Sequence, residues 1–594
     1  PLPGNVSARW QAQRPYRRGP EGGTETYTAY RARKFDEFLH VALASLSPQS
    51  QKTWRKKLED AEKHDLAAYC QQMSLLAHLE PGDFRETRLP IPLTKAYIGL
   101  IRDGHYHLIR VCTPNAALPA EPFAVRSQIA AIVTDHAGAR STPLTSLACL
   151  QRSAFAALRP QLSPPLLRDL DTLRLAPILI NADPRPVTAP LAELRQTERG
   201  TGDHPLTIFL TGQTAVFDQS HIFFDGAWGA AFAEIMTNEA LSWAVYLQTL
   251  PAAHPDPVHP YSLTFPLTAS DLTTLQRAPT RPVEVSAETD AVDLAAIVDL
   301  RRLFKRRSDL LRLTVNDLLI LYRAIHNCTY ALPAALETQL RALAHQRGTR
   351  YAALSTLEAY ETSTNPAILI PIDASPHNPR ERLYPMAFEV PLAELDLIGL
   401  HQRTLNALAS YQTAPPGNEA DRAARYRLFD TLQRTYLATL AGFGEVLSRA
   451  KEIAGQGEGA STGTLKLLAH LPQPLQNLLD KIPGQFDLLN NMLKGREVFS
   501  NVGAVAPKST LTRFISAKDD NEKKTLVWGV ITDANQIMRL TLRDFRPHVG
   551  LLTQAGHANL ARYLTQDYLN AYARGLNQFI TDLHRITAAS QGTR

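Results

Sequence analysis

The first 25 residues show no apolar period: Arg9, Arg14, Arg17 and Arg18 alternate with Pro and Gly. Such a composition buries too little apolar surface to offset the entropy of ordering, so residues 1–25 are expected to form a loose basic tail. From Tyr30 to Leu79 the pattern turns helical, with Phe35, Phe38, Leu39, Val41 and Ala42 at three- and four-residue steps. Two or three helices fit, and the segment 26–84 is expected to lie on the second half of the chain. Beyond Pro90, His107–Cys112 and Pro177–Asn181 read as strands interleaved with helical stretches, a mixed α and β layout. Thr207–Leu210, the turn Thr211-Gly-Gln213 and Ala215–Phe217 predict a hairpin. Its second strand runs into Ser220-His-Ile-Phe-Phe-Asp-Gly226, and Ala227–Leu250 then carries apolar residues at helical spacing. His221 therefore falls where a strand hands over to a helix.

A Pro-rich stretch, His254–Pro260, separates a first half, 85–260, from a second, 261–594. Asp293–Phe304 reads as a helix ending in Lys305-Arg-Arg307, and Thr314-Val-Asn-Asp317 opens another with a capping box. Ala367–Ile372 is a strand candidate, and 401–495 is mostly amphipathic helix broken at Gly455–Gly463. Strands return at Thr525–Ile531 and Met538–Leu542 before a closing helix over His557–Ile586. No internal repeat recurs at a fixed period.

Composition narrows the field without deciding it. Hydrophobic residues at 44 % and charged residues at 20 % describe an ordinary globular chain and exclude collagen, long coiled coil and wholesale disorder. With 63 Lys and Arg against 57 Asp and Glu, the net charge of +6 over 594 residues is too diffuse to argue for nucleic acid. Cys70, Cys112, Cys149 and Cys328 are scattered, so neither a zinc knuckle nor a disulfide framework is written, and they read as reduced core thiols. No stretch approaches the roughly 18 uninterrupted apolar residues of a spanning helix, and the N-terminus has no apolar signal core. A cytoplasmic monomer is the expectation, with peripheral membrane contact left open.

The strongest chemical signal is His221-x-x-x-Asp225-Gly226. A histidine has the pKa to take a proton near neutral pH, a carboxylate four residues on can brace the loop that carries it, and Gly226 leaves room for a ligand. At these residues the chain resembles the CoA-dependent acyltransferases, which include chloramphenicol acetyltransferase, the choline/carnitine acyltransferases, wax ester synthases and peptide-synthetase condensation domains. The layout is most like that of the choline/carnitine enzymes. Thr142-Pro-Leu-Thr-Ser146 with Arg152, Phe155 and Arg159 resembles that family's Thr-x-x-Arg-x-x-Trp region, and Leu170–Asp183 resembles the helix and strand after it. Lys305, Arg306, Arg307 and Arg312 before Thr314-Val-Asn-Asp317 resemble its lysine-rich turn, where basic side chains meet CoA phosphates. Phe499-Ser-Asn-Val-Gly503 falls where its Ser-Thr-Ser motif would come and is similar to a Ser-Asn-x-Gly element of wax ester synthases.

The resemblance implies an α/β (α+β) fold of two chloramphenicol-acetyltransferase-like domains, each a mixed sheet flanked by helices, behind an N-terminal helical segment. It implies transfer of an acyl group from acyl-CoA, a cosubstrate rather than a resident cofactor, to a hydroxyl acceptor. His221 would be the base, Asp225 its brace, Gly226 the space for ligand, and Ser500 or Asn501 an oxyanion donor. No metal is implied. Ser220 stands where carnitine enzymes carry Glu, and neither a Phe-Gly-Pro-Val run after Gly503 nor a Thr-Arg-Arg segment near Leu357–Asn365 is present, so the acceptor stays open. A wax-ester-synthase or diacylglycerol-acyltransferase-like enzyme, suggested by Asn316-Asp317 and by apolar helices such as Leu465–Met492, and a catalytically silent acyl-CoA or protein binder remain alternatives.

Other matches weigh less. Gly459-Ala-Ser-Thr-Gly463 mimics a nucleophile elbow, and Gly455-x-Gly457-x-x-Ala460 a dinucleotide fingerprint, but neither follows the buried strand its chemistry requires. His105 and His107 share a strand face with no third ligand indicated. Arg543 or Arg546 could meet Asp225.

Overall fold

The computed structural model describes residues 25–72, 74–80, 87–113, 118–134, 144–224, 226–255, 260–361, 367–373, 383–390, 392–415, 417–456, 497–505, 511–517 and 525–590. The expected tail, save Glu25, and the glycine elements of 457–463 lie outside these residues, as do Thr142 and Asp225.

The chain opens with helices α1 (Tyr27–Ala44), α2 (Pro48–His64) and α3 (Leu66–Gln72), then the hairpin of β1 (Ala77–Glu80) and β2 (Thr87–Pro90). β3 (Tyr97–Arg102) and β4 (His105–Arg110) follow. Helices α4 (Pro122–Thr134), α5 (Leu144–Ala148), α6 (Arg152–Leu158) and α7 (Pro164–Leu173) lead to β5 (Ile178–Asn181). The short α8 (Leu191–Leu194) precedes the predicted hairpin, β6 (Leu206–Leu210) and β7 (Ala215–Ser220), whose turn uses Gly212 at φ 79°. Then come α9 (Gly226–Leu247), β8 (Tyr261–Leu263) and α10 (Ala269–Arg277).

The rest runs β9 (Val285–Val292), α11 (Leu294–Arg307), α12 (Val315–Thr329), α13 (Ala334–Ala344), α14 (Arg350–Glu361), β10 (Ala367–Asp373) and β11 (Leu383–Glu389). Helices α15 (Leu397–Gln412) and α16 (Glu419–Gln456) precede four strands: β12 (Glu497–Ala504), β13 (Arg513–Ala517), β14 (Leu526–Thr532) and β15 (Met538–Asp544). Helices α17 (Pro547–Gln554) and α18 (Ala558–Ala588) close the chain. The capping box read at Thr314 is formed, with Asp317 N donating to Thr314 Oγ1 at 3.1 Å and Thr314 N to Asp317 Oδ2 at 2.8 Å.

The fold is mixed α/β, and both large sheets mix parallel with antiparallel pairs. One has seven strands in the order β13-β7-β6-β5-β3-β4-β8, the other six in the order β11-β10-β12-β14-β15-β9. The second core is built on β14, whose Trp528 is fully buried, and on α18. Leu560, Leu564, Tyr568, Tyr572, Leu576, Ile580 and Leu583 fall at helical spacing on α18 and are all buried. Trp528 sits against Tyr572 with ring centroids 4.8 Å apart.

Three expectations are corrected. The division at 260 comes too early, because β8 pairs with β4 and Leu263, Phe265 and Leu275 pack into the core under the first sheet. The division also fails at β13, which comes from late in the chain and pairs in parallel with β7. A sheet edge offers unpaired backbone groups to any strand that reaches it, whatever its distance in sequence. Thirdly, α1 docks on the first half: Tyr27 Oη donates to Ser242 O at 3.0 Å, its ring stacks on Tyr246 at 4.2 Å, and Arg31 pairs with Glu239, all on α9. The cysteines are free, but Cys70 and Cys328 are exposed rather than in the core. No described helix is long and apolar enough to cross a membrane.

Candidate functional site

β7 ends at Ser220, and the backbone turns at once. Phe223 N and Phe224 N both donate to Ser220 O, at 3.0 and 3.2 Å. The tight turn leaves His221 half-buried, while Phe223 and Phe224 beside it are 4 % and 1 % exposed and anchor the turn in apolar surroundings. His221 Nδ1 lies 3.1 Å from Phe224 O, a bond that orients the ring. α9 then starts at Gly226, so the histidine stands at the strand-to-helix handover that the pattern predicts.

The second face of this region comes from β12. Its pairing with β14 shifts register between Asn501 and Ala504, and Gly503 sits there at φ 84°, which bends the strand end sharply. Ser500 pairs with Gly529 in the ladder and is half-buried. Asn501 Oδ1 accepts from Gly503 N at 2.8 Å, which leaves the Nδ2 side of that amide to donate elsewhere. Val502 and Val505 share one apolar cluster with Phe217, Phe223, Phe224 and Phe232, so the bent end of β12 and the His221 turn meet across it. The hairpin β1–β2 joins the same cluster through Ala77 and Leu79, and the Arg88 guanidinium lies 4.6 Å above the Phe223 ring.

The basic group lies elsewhere. Lys305, Arg306 and Arg307 end α11 and Arg312 precedes α12, all four exposed. Arg307 Nη2 donates to Gln433 of α16 at 3.0 Å, and Arg312 Nε to Asp309 O at 2.7 Å. Among the described residues no hydrogen bond or ion pair joins this group to the His221 turn. Asp317 also pairs with Lys451 of α16, so its carboxylate is engaged in holding the start of α12.

Several further candidates have structural partners. Arg152 is buried and donates to Gly202 O, and Arg159 pairs with Asp171. Arg543 pairs with Glu284, and Arg546 with Asp544 and Tyr360 Oη. His107 Nδ1 lies 3.0 Å from Ser262 Oγ, and among the described residues no group of three ligands could hold a metal ion.

Two features escaped sequence reasoning. Asp218, three residues before His221, is 3 % exposed and accepts from Arg195 Nε at 3.1 Å and Arg199 Nε at 2.9 Å. Gln219 is 1 % exposed and donates to Gly229 O of α9 at 2.9 Å. The only hint was a polar pair inside an otherwise apolar strand, which pattern alone reads as a strand end. No protein-family model matches the chain, and no curated protein matches it.

Proposed function

We propose that the protein is an acyltransferase that moves an acyl group from acyl-CoA to a hydroxyl acceptor, with His221 as general base. The bond from His221 Nδ1 to Phe224 O carries this reading. A carbonyl oxygen only accepts, so in the neutral ring Nδ1 bears the proton and Nε2 the lone pair, which is the state a base requires. Nε2 takes the proton of the acceptor hydroxyl while the hydroxyl oxygen attacks the thioester carbonyl carbon. The tetrahedral intermediate then expels the CoA sulfur, which recovers the proton from the imidazolium, and no acyl-enzyme is needed.

Ser500 and Asn501 Nδ2, at the bend of β12, are the donors for the developing oxyanion. Asp225 braces the His221 loop, and Gly226 leaves space at its end. Lys305, Arg306, Arg307 and Arg312 receive CoA phosphates, for which exposed guanidinium and ammonium groups are suited. Two mixed sheets flanked by helices support the reading as two chloramphenicol-acetyltransferase-like domains. The wax-ester-synthase-like alternative leans on Asn316-Asp317, whose carboxylate the capping of α12 already accounts for, and on Leu465–Met492, which lies outside the described residues.

The test is thiol release from short- to long-chain acyl-CoAs with pooled hydroxyl acceptors, comparing wild type with His221→Ala. Acceptor-dependent release that disappears in the variant supports the reading; equal release by both proteins overturns it. CoA binding without release by either protein favours the silent binder.

A further inference from the structure

Three elements converge on Gly229 in the first turn of α9. Gln219 of β7 donates Nε2 to Gly229 O at 2.9 Å. A Cβ at Gly229 would stand 2.3 Å from Gln219 Oε1 and 3.3 Å from Phe514 Cζ of β13. In the sheet, Gln219 lies opposite Ser516 of β13 on one side and Leu206 of β6 on the other. The carboxamide thus spans from the end of β7 to a helix backbone at a point where glycine leaves it room.

Gln219 Oε1 is buried and has no hydrogen-bond partner. Buried polar atoms are almost always satisfied, and one left unmet weakens the fold. A leucine would fill the same space without that cost. What the amide supplies and leucine would not is its N–H, which closes a loop from residue 219 to residue 229 that contains His221 and holds the end of β7 at a set distance from the first turn of α9.

We infer that Gln219 is a positioning residue for His221, fixing the strand-to-helix turn so that the imidazole keeps one place and one tautomer. The inference rests on the reading of His221 as a base for its kinetic consequence, but not for its structural one. Transfer steps are steep in geometry, and a displacement of about 1 Å costs on the order of a hundredfold in rate.

The test is Gln219→Leu, with Gly229→Ala as a second variant that displaces the same amide from the other side. Proteins labelled with 15N-histidine report the tautomer and titration of His221 without any substrate, with His221→Ala assigning the signal. Expected are a shift in that titration in both variants, a fall in kcat of about a hundredfold with KM for acyl-CoA within about twofold, and an undiminished denaturation midpoint for Gln219→Leu. A wild-type His221 titration in both variants overturns the inference. If wild type releases no thiol from any acyl-CoA, the acyltransfer reading fails, while the 15N titration still decides the role of Gln219. If Gln219→Leu does not fold, the Gly229→Ala titration decides it.

Discussion

Arg195 Nη1 donates to Glu284 Oε1 at 3.0 Å. The bond runs from the loop behind α8 to the approach of β9, and so ties one sheet to the other. On the near side Arg195 also holds Asp218 of β7; on the far side Arg543 Nε of β15 donates to Glu284 Oε2 at 2.7 Å. Burial pushes the Glu284 carboxyl up, and the guanidinia of Arg543 and Arg195 outweigh it, leaving the carboxyl below its ordinary range. Because Asp218 lies three residues before His221, this ionic chain sets the strand that carries the histidine against the second half.

Replacing Glu284 by Ala leaves Arg543 buried without its carboxylate. A loss of about 3–5 kcal/mol is expected, the usual cost of an uncompensated buried charge, measured as a shift in urea midpoint at constant slope. A loss under about 1 kcal/mol would mean that water reaches this junction.

Acid sensitivity should come first from the two most deeply buried histidines of the second core, with His401, which burial also pulls below its ordinary value, adding to it. His326 and His548 are each 2 % exposed, and His326 Nε2 and both ring nitrogens of His548 have no hydrogen-bond partner. Burial pulls both down to about 3, helped in His326 by the Arg323 and Arg546 charges and in His548 by that of Arg546. Both are therefore neutral when folded and free to protonate when unfolded. Their stabilising effect is complete above the unfolded value near 6.5 and is lost as pH falls from there toward 3, with a limiting slope of about 1.4 kcal/mol per pH unit for each. Buried carboxylates such as Asp544 and Glu284 add their own loss only below about pH 5. Denaturation midpoints from pH 7 to 5 therefore isolate the histidines: His548→Leu should be near neutral at pH 7 and should flatten the decline, and a decline of unchanged slope would refute this assignment.

At the basic turn, Lys305→Ala with Arg306→Ala removes two exposed cations and leaves the Arg307 bond to Gln433 in place. CoA affinity is expected to fall tenfold or more, since a charged hydrogen bond contributes about 1.5–3 kcal/mol. Titration calorimetry at two salt concentrations checks it, and the salt dependence should shrink with the affinity. Unchanged binding would remove these residues from the site.

Gly503→Ala tests the bend of β12. Nothing lies within 4 Å of the added Cβ, so the cost is backbone strain at φ 84°, about 1–2 kcal/mol. The same variant should lower turnover by shifting Ser500 and Asn501. Full stability with full turnover would show that the strand tolerates the change without moving Ser500 and Asn501.

Local pattern carried much of the fold. The hairpin of β6 and β7, the capping box at Thr314, β10, β14, β15 and the closing helix were legible because each rests on neighbours a few residues apart: turn residues, a cap three positions on, an apolar stripe at period 3.6 or 2. The His221 turn was legible for the same reason, as a short motif between a strand and a helix. Short or edge strands such as β8, β13 and the hairpin β1–β2 were not, because their identity depends on which sheet edge stands beside them rather than on their own residues. That β13 returns to β7, that α1 docks on α9, that the end of β12 meets Phe223 and Phe224, and that Asp218, Gln219 and Glu284 act as buried joints were all decided by tertiary structure. Pairing, ion chains and shared apolar clusters join residues hundreds of positions apart, and a polar residue inside a strand shows its role only once the opposite charge or carbonyl has been brought within hydrogen-bond distance of it.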